Sequence, residues 1–277
     1  MTILIVKVLV ENTAISDAFQ TEHGISLYIE TGKYKLLFDT GASGLFLENA
    51  KKLNVDIQDI DFVVISHGHF DHGGGLKLFL RENKKAEVFV HQKAFEKHYA
   101  RHPDGSLKFI GLDEEWKHDQ RLVLTGGRFF LGIGLEVFSD VTGRELYSSA
   151  NRVLLMEKDG EMVEDSFAHE QNLIITEGGK RVLFAGCAHN GILNIHRRFL
   201  EIKRRPADCV LGGFHLYNPS SKQSEPSSLV AQIGERLKNT RSKYFTGHCT
   251  GIEPYHLLKG IMGDQLQYLA TGSILHI

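Results

Sequence analysis

The sequence predicts a layered α/β fold, with two stacked sheets inside one domain over residues 1–277. Three observations predict it. Short apolar, β-branched runs such as Phe62-Val63-Val64-Ile65 recur at strand length. Between them lie segments with apolar residues at helical spacing, among them Ile192, Ile195, Phe199 and Ile202. The strand-rich plan of roughly 1–141 returns over roughly 152–277 without a sequence repeat, which suits two similar sheets packed face to face. A chain of 277 residues is long enough to enclose a substantial core of this kind.

Taken in order, residues 2–10 read as a first strand. The run is too short for a membrane span and lacks the basic leader and small-residue cleavage site of a signal peptide. Residues 11–23 form a polar loop near the edge of a site. Residues 24–30 and 35–38 form a hairpin around Thr31-Gly32-Lys33. Asp39 ends the second of these strands and is placed to cap a helix over 45–53. A strand follows at 61–66, a helix at 76–81, a strand at 87–91 and a short helix at 93–100.

Residues 101–121 are mixed and polar, carry the only tryptophan, Trp116, and suit a lid or substrate loop. His98, His102 and His118 lack tight spacing and are read as surface or substrate-side residues, not ligands. Residues 122–141 alternate short strands with Gly126-Gly127 and Gly132-Ile133-Gly134. Neither a clean Gly-x-Gly-x-x-Gly nor a Gly-Lys-Ser/Thr completes a phosphate loop. Residues 142–151 read as a linker between halves.

The second half offers strands at 152–156, 172–176 and 181–185, then a helix over 190–203. Its Arg197, Arg198, Lys203, Arg204 and Arg205 read as a solvated face. A strand at 208–212, a Pro- and Ser-rich loop at 217–228 and a helix at 229–237 follow. A strand at 243–246, a helix at 254–262 and strands at 266–269 and 274–277 complete the chain.

Composition narrows the partners. Hydrophobic residues at 42% and charged residues at 24% are ordinary for a soluble globular protein. A net charge of −2 supplies no global basic field for nucleic acid, so a small-molecule substrate is expected, with neither nucleic acid nor membrane as partner. Three cysteines do not suggest a disulfide framework, and a reducing cytoplasm is the expected location.

The chemistry is densest in Ser66-His67-Gly68-His69-Phe70-Asp71-His72-Gly73-Gly74-Gly75. Four metal-ligating side chains fall within six residues, between a buried strand and the start of a helix. Neutral imidazoles suit Zn, Fe, Ni or Cu, and Asp71 adds an anionic oxygen. His67 and His69 alternate along an extended segment and point one way, whereas Asp71 and His72 lie past the turn. Two adjacent metal positions follow, each needing further ligands from elsewhere. The second half offers three strand ends where glycine adjoins histidine: Gly186-Cys187-Ala188-His189, Gly212-Gly213-Phe214-His215 and Gly247-His248-Cys249.

The motif His67-x-His69-x-Asp71-His72 after a buried strand resembles the signature of the metallo-β-lactamase-fold hydrolase superfamily. That resemblance implies a four-layer αββα sandwich with one or two metals at one edge between the sheets. The three later strand ends resemble a branch named as dihydropteroate-synthase-like, or as making a dihydropterin-linked ribofuranosylaminobenzene phosphate. It implies that His189 joins His67 and His69 on one metal and that His248 joins Asp71 and His72 on the other. Asp39 matches the superfamily's carboxylate that supports a ligand histidine, a role compatible with capping. Cys187 stands where most members carry a bridging Asp, and is either a thiolate ligand or a buried thiol. His169 or Glu170 competes with His189 for the third ligand of the first position. His189 is preferred because it ends a buried strand.

The expected cofactor is one or two divalent metal ions, zinc first, with iron or manganese as alternatives. The expected activity is metal-dependent hydrolysis, in which an activated water attacks an ester, phosphoester or amide centre. Asp71 would orient that water, and His215 would face the substrate and move a proton. The substrate is expected to be small and anionic or phosphorylated. A pterin-condensing enzyme of the dihydropteroate-synthase type, and a metal- or redox-sensing protein without turnover, are the alternatives.

Overall fold

Alternate residues of each strand face opposite sides, and this splits the apolar residues into three cores. In Phe62–Ile65, Val64 enters one core, while Val63 and Ile65 enter another. In Lys180–Phe184, Val182 and Phe184 join Val64, while Leu183 faces a third core. The shared core lies between two sheets. One outer core is covered by the helices Leu45–Lys52 and Leu76–Glu82, through Phe46, Phe79 and Leu80. The other is covered by Ile192–Lys203, Ser227–Lys238 and Ile252–Met262, through Ile195, Phe199, Val230, Ile233 and Leu258. The layers therefore run helix, sheet, sheet, helix. This computed structural model describes residues 4–277; Thr2 and Ile3, the start of the expected first strand, lie outside the described residues.

The first sheet has seven strands in the order Ile274–His276, Ile5–Val10, Ser26–Glu30, Lys35–Phe38, Phe62–Ile65, Glu87–His91 and Leu122–Thr125. The second also has seven, in the order Arg128–Gly132, Leu135–Phe138, Asn172–Glu177, Lys180–Phe184, Cys209–Leu211, Lys243–Thr246 and Leu266–Tyr268. Read in these orders, each sheet makes three antiparallel pairings and then three parallel ones. The internal similarity expected between halves is thus a similarity of pairing pattern.

The expected boundary near 142–151 is displaced. Arg128–Gly132 and Leu135–Phe138 pair into the second sheet, and the last strand, Ile274–His276, crosses back to the first. The hairpin Arg128–Phe138 buries Leu135 and Val137 in the shared core, which outweighs its place in the chain.

The helix expected over 93–100 is absent. Only a turn forms there, with the Glu96 N–H donating to the Lys93 carbonyl at 3.1 Å. The chain then enters the strand His98–Arg101, which pairs with Leu154–Met156 and with Leu107–Phe109. Together with Glu161–Glu164, these strands make a four-stranded sheet that the sequence did not announce. Long-range pairing overrides a weak local helical pattern. Part of the polar segment 101–121 is therefore a strand, and the loop 217–228 contains a small hairpin, Tyr217–Asn218 with Gln223–Ser224.

Candidate metal centre

Parallel strands present their carboxyl ends on one edge, where open α/β sheets place their ligand sites. From the first sheet, Lys35–Phe38 leads to Asp39, and Phe62–Ile65 leads to His67, His69, Asp71 and His72. From the second, Lys180–Phe184 leads to Cys187 and His189, Cys209–Leu211 to His215, and Lys243–Thr246 to His248. The backbone is strained here. Asp39, Phe167, Ala188, His215 and His248 all adopt positive φ, between 50° and 60°. Such conformations in residues other than glycine cost energy and cluster at functional sites. Gly212 (φ +142°) lets two strand ends meet: a Cβ there would stand 1.9 Å from the Ala185 carbonyl oxygen.

Two donor groups result. His67, His69 and His189 converge, with the Nε2 atoms of His67 and His189 3.3 Å apart. Asp71, His72, Cys187 and His248 form the second group. There His72 Nε2 lies 3.2 Å from His248 Nε2 and 3.1 Å from Cys187 Sγ, and Asp71 Oδ2 lies 3.3 Å from His248 Nε2. All seven side chains are buried. The structure thus brings His67, His69 and His189 into one group and Asp71, His72 and His248 into the other, as expected, and adds Cys187 to the second.

The far nitrogens decide which protons these rings carry. His72 Nδ1 donates to Asp39 Oδ2 at 2.7 Å. His189 Nδ1 donates to Asn151 Oδ1 at 3.0 Å, and His248 Nδ1 to Asn12 Oδ1 at 3.0 Å. The asparagine orientations are set by their other bonds: Asn151 Nδ2 donates to the His189 carbonyl, and Asn12 Nδ2 faces His23 Nδ1. The Ser66 hydroxyl donates to Asp39 at 2.7 Å and so accepts from His67 Nδ1 at 2.9 Å. All four rings donate from Nδ1 and so turn Nε2 inward at contact distance, where each neutral ring presents a lone pair. Lone pairs so arranged repel unless a cation lies among them. The mixed N, O and S donor set fits a divalent transition metal.

Electrostatics favour neutral imidazole for most of the donors. Burial, reinforced by neighbouring histidines, pushes His67 and His189 well below the ordinary histidine range. Burial alone would raise Asp71, but His72 and His248 hold it well below the usual carboxylate range. Burial lowers His248 too, yet its bond to Asp71 prevails and holds it up at about 9. In the metal-free chain His248 is therefore the imidazolium partner of Asp71. Burial pushes the Cys187 thiol up.

The competing candidates point elsewhere. His169 accepts from the Gly68 N–H at Nδ1 (2.9 Å) and meets Asp165 at Nε2 (3.2 Å), so both of its nitrogens are committed. Glu170 accepts from the N–H groups of His189 (2.6 Å) and Asn190 (3.0 Å), which fixes the turn that carries His189. His215 lies against His189 at a ring-centroid distance of 4.2 Å, with both nitrogens buried and without a hydrogen-bond partner among the described residues. His98 is fully buried, not a surface residue, because its ring bonds Asp165 at 2.8 Å. His23, Asn12, Asn151 and Asp165 were not singled out from the sequence. Their roles come from contacts across up to 236 positions, as for Asn12 with His248, and no local spacing marks them.

Beside the donors lies a cavity of about 260 Å³. Its floor is His69, Asp71, Cys187, His189, His215 and His248, and its apolar wall includes Phe70, Ile110, Val153 and Leu154. Lys108 and His102 stand at the same cavity. Among the described residues, no helix is long and apolar enough to cross a membrane.

An αββα sandwich with a histidine-rich donor set at the strand ends defines a metal-binding class of protein. The chain belongs to the metallo-beta-lactamase superfamily, whose family model matches residues 23–237. It is similar to the 7,8-dihydropterin-6-methyl-4-(beta-D-ribofuranosyl)-aminobenzene-5'-phosphate synthase of Methanocaldococcus jannaschii, with 29% identity over 272 residues, 93% of this chain and 90% of the relative. An uncharacterised protein of the same organism is 31% identical over 258 residues, 90% of this chain and 91% of its own. A solved metal-dependent hydrolase of the beta-lactamase superfamily superposes with a TM-score of 0.79 at 25% identity, over 99% of each chain. These relatives accord with the branch that the three glycine-histidine strand ends resemble.

Proposed function

We propose that this protein is a metal-dependent hydrolase acting on a small anionic molecule at an ester, phosphoester or amide bond. The observation that carries this reading is the set of four inward Nε2 atoms, on His67, His72, His189 and His248, each ring fixed by a partner on Nδ1. His67, His69 and His189 hold one divalent metal, and Asp71, His72 and His248, with Cys187 beside them, hold a second. Zinc suits this mixed donor set first, with iron or manganese as alternatives. A metal so held supplies Lewis-acid polarisation and a water acidic enough to ionise near neutral pH.

The chain's own side chains do the rest. Asp71 reaches the cavity and orients the attacking water through its carboxylate. His215, which lines the cavity against His189, moves a proton to the leaving group. Lys108 offers the substrate's anionic group a cation, and the apolar wall holds its body. A cavity of about 260 Å³ suits a small molecule rather than a polynucleotide.

A second reading is condensation without hydrolysis. It is favoured by the name of the synthase that is 29% identical over 93% of this chain. Elemental analysis of the purified protein tests the metal. A screen of phosphoesters, lactones and pterins in ¹⁸O-labelled water tests the reaction: hydrolysis puts one labelled oxygen into product, and condensation puts in none. A protein that binds no divalent metal refutes both readings.

A further inference from the structure

Beneath the first donor group lies a second buried cluster, His69, His98, Asp165 and His169, whose ligand atoms lie within 4.8 Å of one another. The proposed metal chemistry uses only His69 from it. Two nitrogens in the cluster, His69 Nε2 and His98 Nε2, are fully buried and have no partner among the described residues. Buried polar atoms are rarely left so. We propose that His98 and Asp165 are positioning residues for the first metal, with His98 Nε2 accepting the Nε2 proton of His69 while His69 Nδ1 faces the metal. This rests on the metal-dependent reading above.

The proton inventory supports it. Asp165 accepts from the Phe167 N–H at 2.7 Å, from His98 Nδ1 at 2.8 Å and from His169 Nε2 at 3.2 Å. Burial alone would raise its pKa, but the two histidines hold it well below the usual range, so it is a carboxylate. His169 takes the Gly68 N–H on Nδ1 and must therefore carry its proton on Nε2, toward Asp165. His98 donates its Nδ1 proton to Asp165, which leaves Nε2 as a pure acceptor in the neutral ring. His69 lines the cavity while its Nε2 is sealed from it, so Nδ1 is the nitrogen available to a metal. A ring that ligates through Nδ1 carries its proton on Nε2. The orphans are thus one donor and one acceptor.

Their rings stand edge to face with centroids 5.7 Å apart. Two imidazoles joined by a nitrogen-to-nitrogen hydrogen bond need about 5 Å, so the bond is not made at this separation and forms as the rings close when a metal is held on His69 Nδ1. Gly68 permits the approach, since a Cβ there would stand 3.0 Å from His98 Nε2 and 2.3 Å from the Ala94 carbonyl. The arrangement also has a mechanical consequence. His98 begins the strand His98–Arg101, whose Ala100 lines the substrate cavity. Asp165–His98–His69 therefore ties that wall to the metal.

The test is cobalt(II) titration of the whole chain, with visible ligand-field spectra and chelator competition, on the wild type, His98→Leu and His98→Gln. Leucine removes the acceptor, whereas glutamine restores one through its carbonyl oxygen. His98→Leu is expected to weaken one cobalt position 10- to 100-fold, the range for loss of a ligand's outer partner, and His98→Gln to recover most of it. Amide exchange in the strand His98–Arg101 should slow on cobalt loading in the wild type and not in His98→Leu. Unchanged affinity and spectrum in His98→Leu would overturn the proposal and leave the metal reading intact. Equal loss at both positions in both variants, with a lower melting temperature of the metal-free protein, would reduce His98 to a packing residue and overturn it too. Failure of the wild type to take up cobalt would overturn the metal reading itself.

Discussion

Asp39→Asn is the sharpest probe of the centre, because it turns one acceptor oxygen into an NH₂ donor, removes one charge and changes almost no volume. Asp39 is fully buried and has φ of 60°, a conformation that asparagine tolerates. Its Oδ1 accepts from the Ser66 N–H at 2.6 Å, and an asparagine Oδ1 keeps that bond. Its Oδ2 accepts from Ser66 Oγ and from His72 Nδ1, both at 2.7 Å. In the variant an NH₂ group faces these two donors. His72 must then accept on Nδ1 and carry its proton on Nε2, where it meets His248 Nε2 and Cys187 Sγ at 3.2 and 3.1 Å. The lone pair that would bind metal is gone. Loss of such an outer carboxylate weakens metal binding 10- to 100-fold, about 1.4 to 2.7 kcal/mol. The assay is metal content after dialysis, with chelator competition for each dissociation constant. An Asp39→Asn protein that folds and keeps the wild-type metal equivalents at unchanged affinity would refute the tautomer argument.

Three further outcomes follow from the geometry. His67→Ala should lose metal and activity together, as read by elemental analysis and turnover on the same preparation; full activity without metal would sink the hydrolase reading. Metal affinity at the His72–His248 position should rise roughly tenfold per pH unit up to about 9, because a metal must displace the proton that Asp71 holds on His248; a flat profile between pH 6 and 9 would contradict that pairing. Burial lowers His196 to about 4, below its unfolded value of 6.5, so below pH 6.5 the unfolded chain binds a proton that the folded chain does not. Stability is therefore lost as pH falls from 6.5 toward 4, by about 2 kcal/mol at pH 5. His196→Leu should flatten this limb in chemical denaturation, and an unchanged acid limb would count against it.

Much of the site was legible because its residues are local or carry a mark. His67, His69, Asp71 and His72 share one turn after one strand, so their spacing alone groups them. His189, His215 and His248 each follow a glycine at a strand end. His98 was misread because its neighbours Lys93, Ala94, Glu96 and Lys97 suit a helix, whereas its surroundings are supplied by Asp165 and by strand pairing with Leu154–Met156. The boundary between halves was misplaced for a similar reason: Leu135 and Val137 are buried against the second sheet, and pairing partners are not written in chain order.

Sequence alone determined the layered α/β class, the strands that end in donors, and the chemistry that those donor types admit. Periodicity and residue type act over a few positions, and a one-dimensional pattern carries them. Only the tertiary structure decided which nitrogen of each histidine faces inward, that Glu170 and His169 turn away, and that Cys187 reaches the second donor group. Those outcomes depend on partners such as Asn12, Asp39, Asn151 and Asp165 meeting the rings across long stretches of chain. A hydrogen bond sets a tautomer only where folding brings donor and acceptor together.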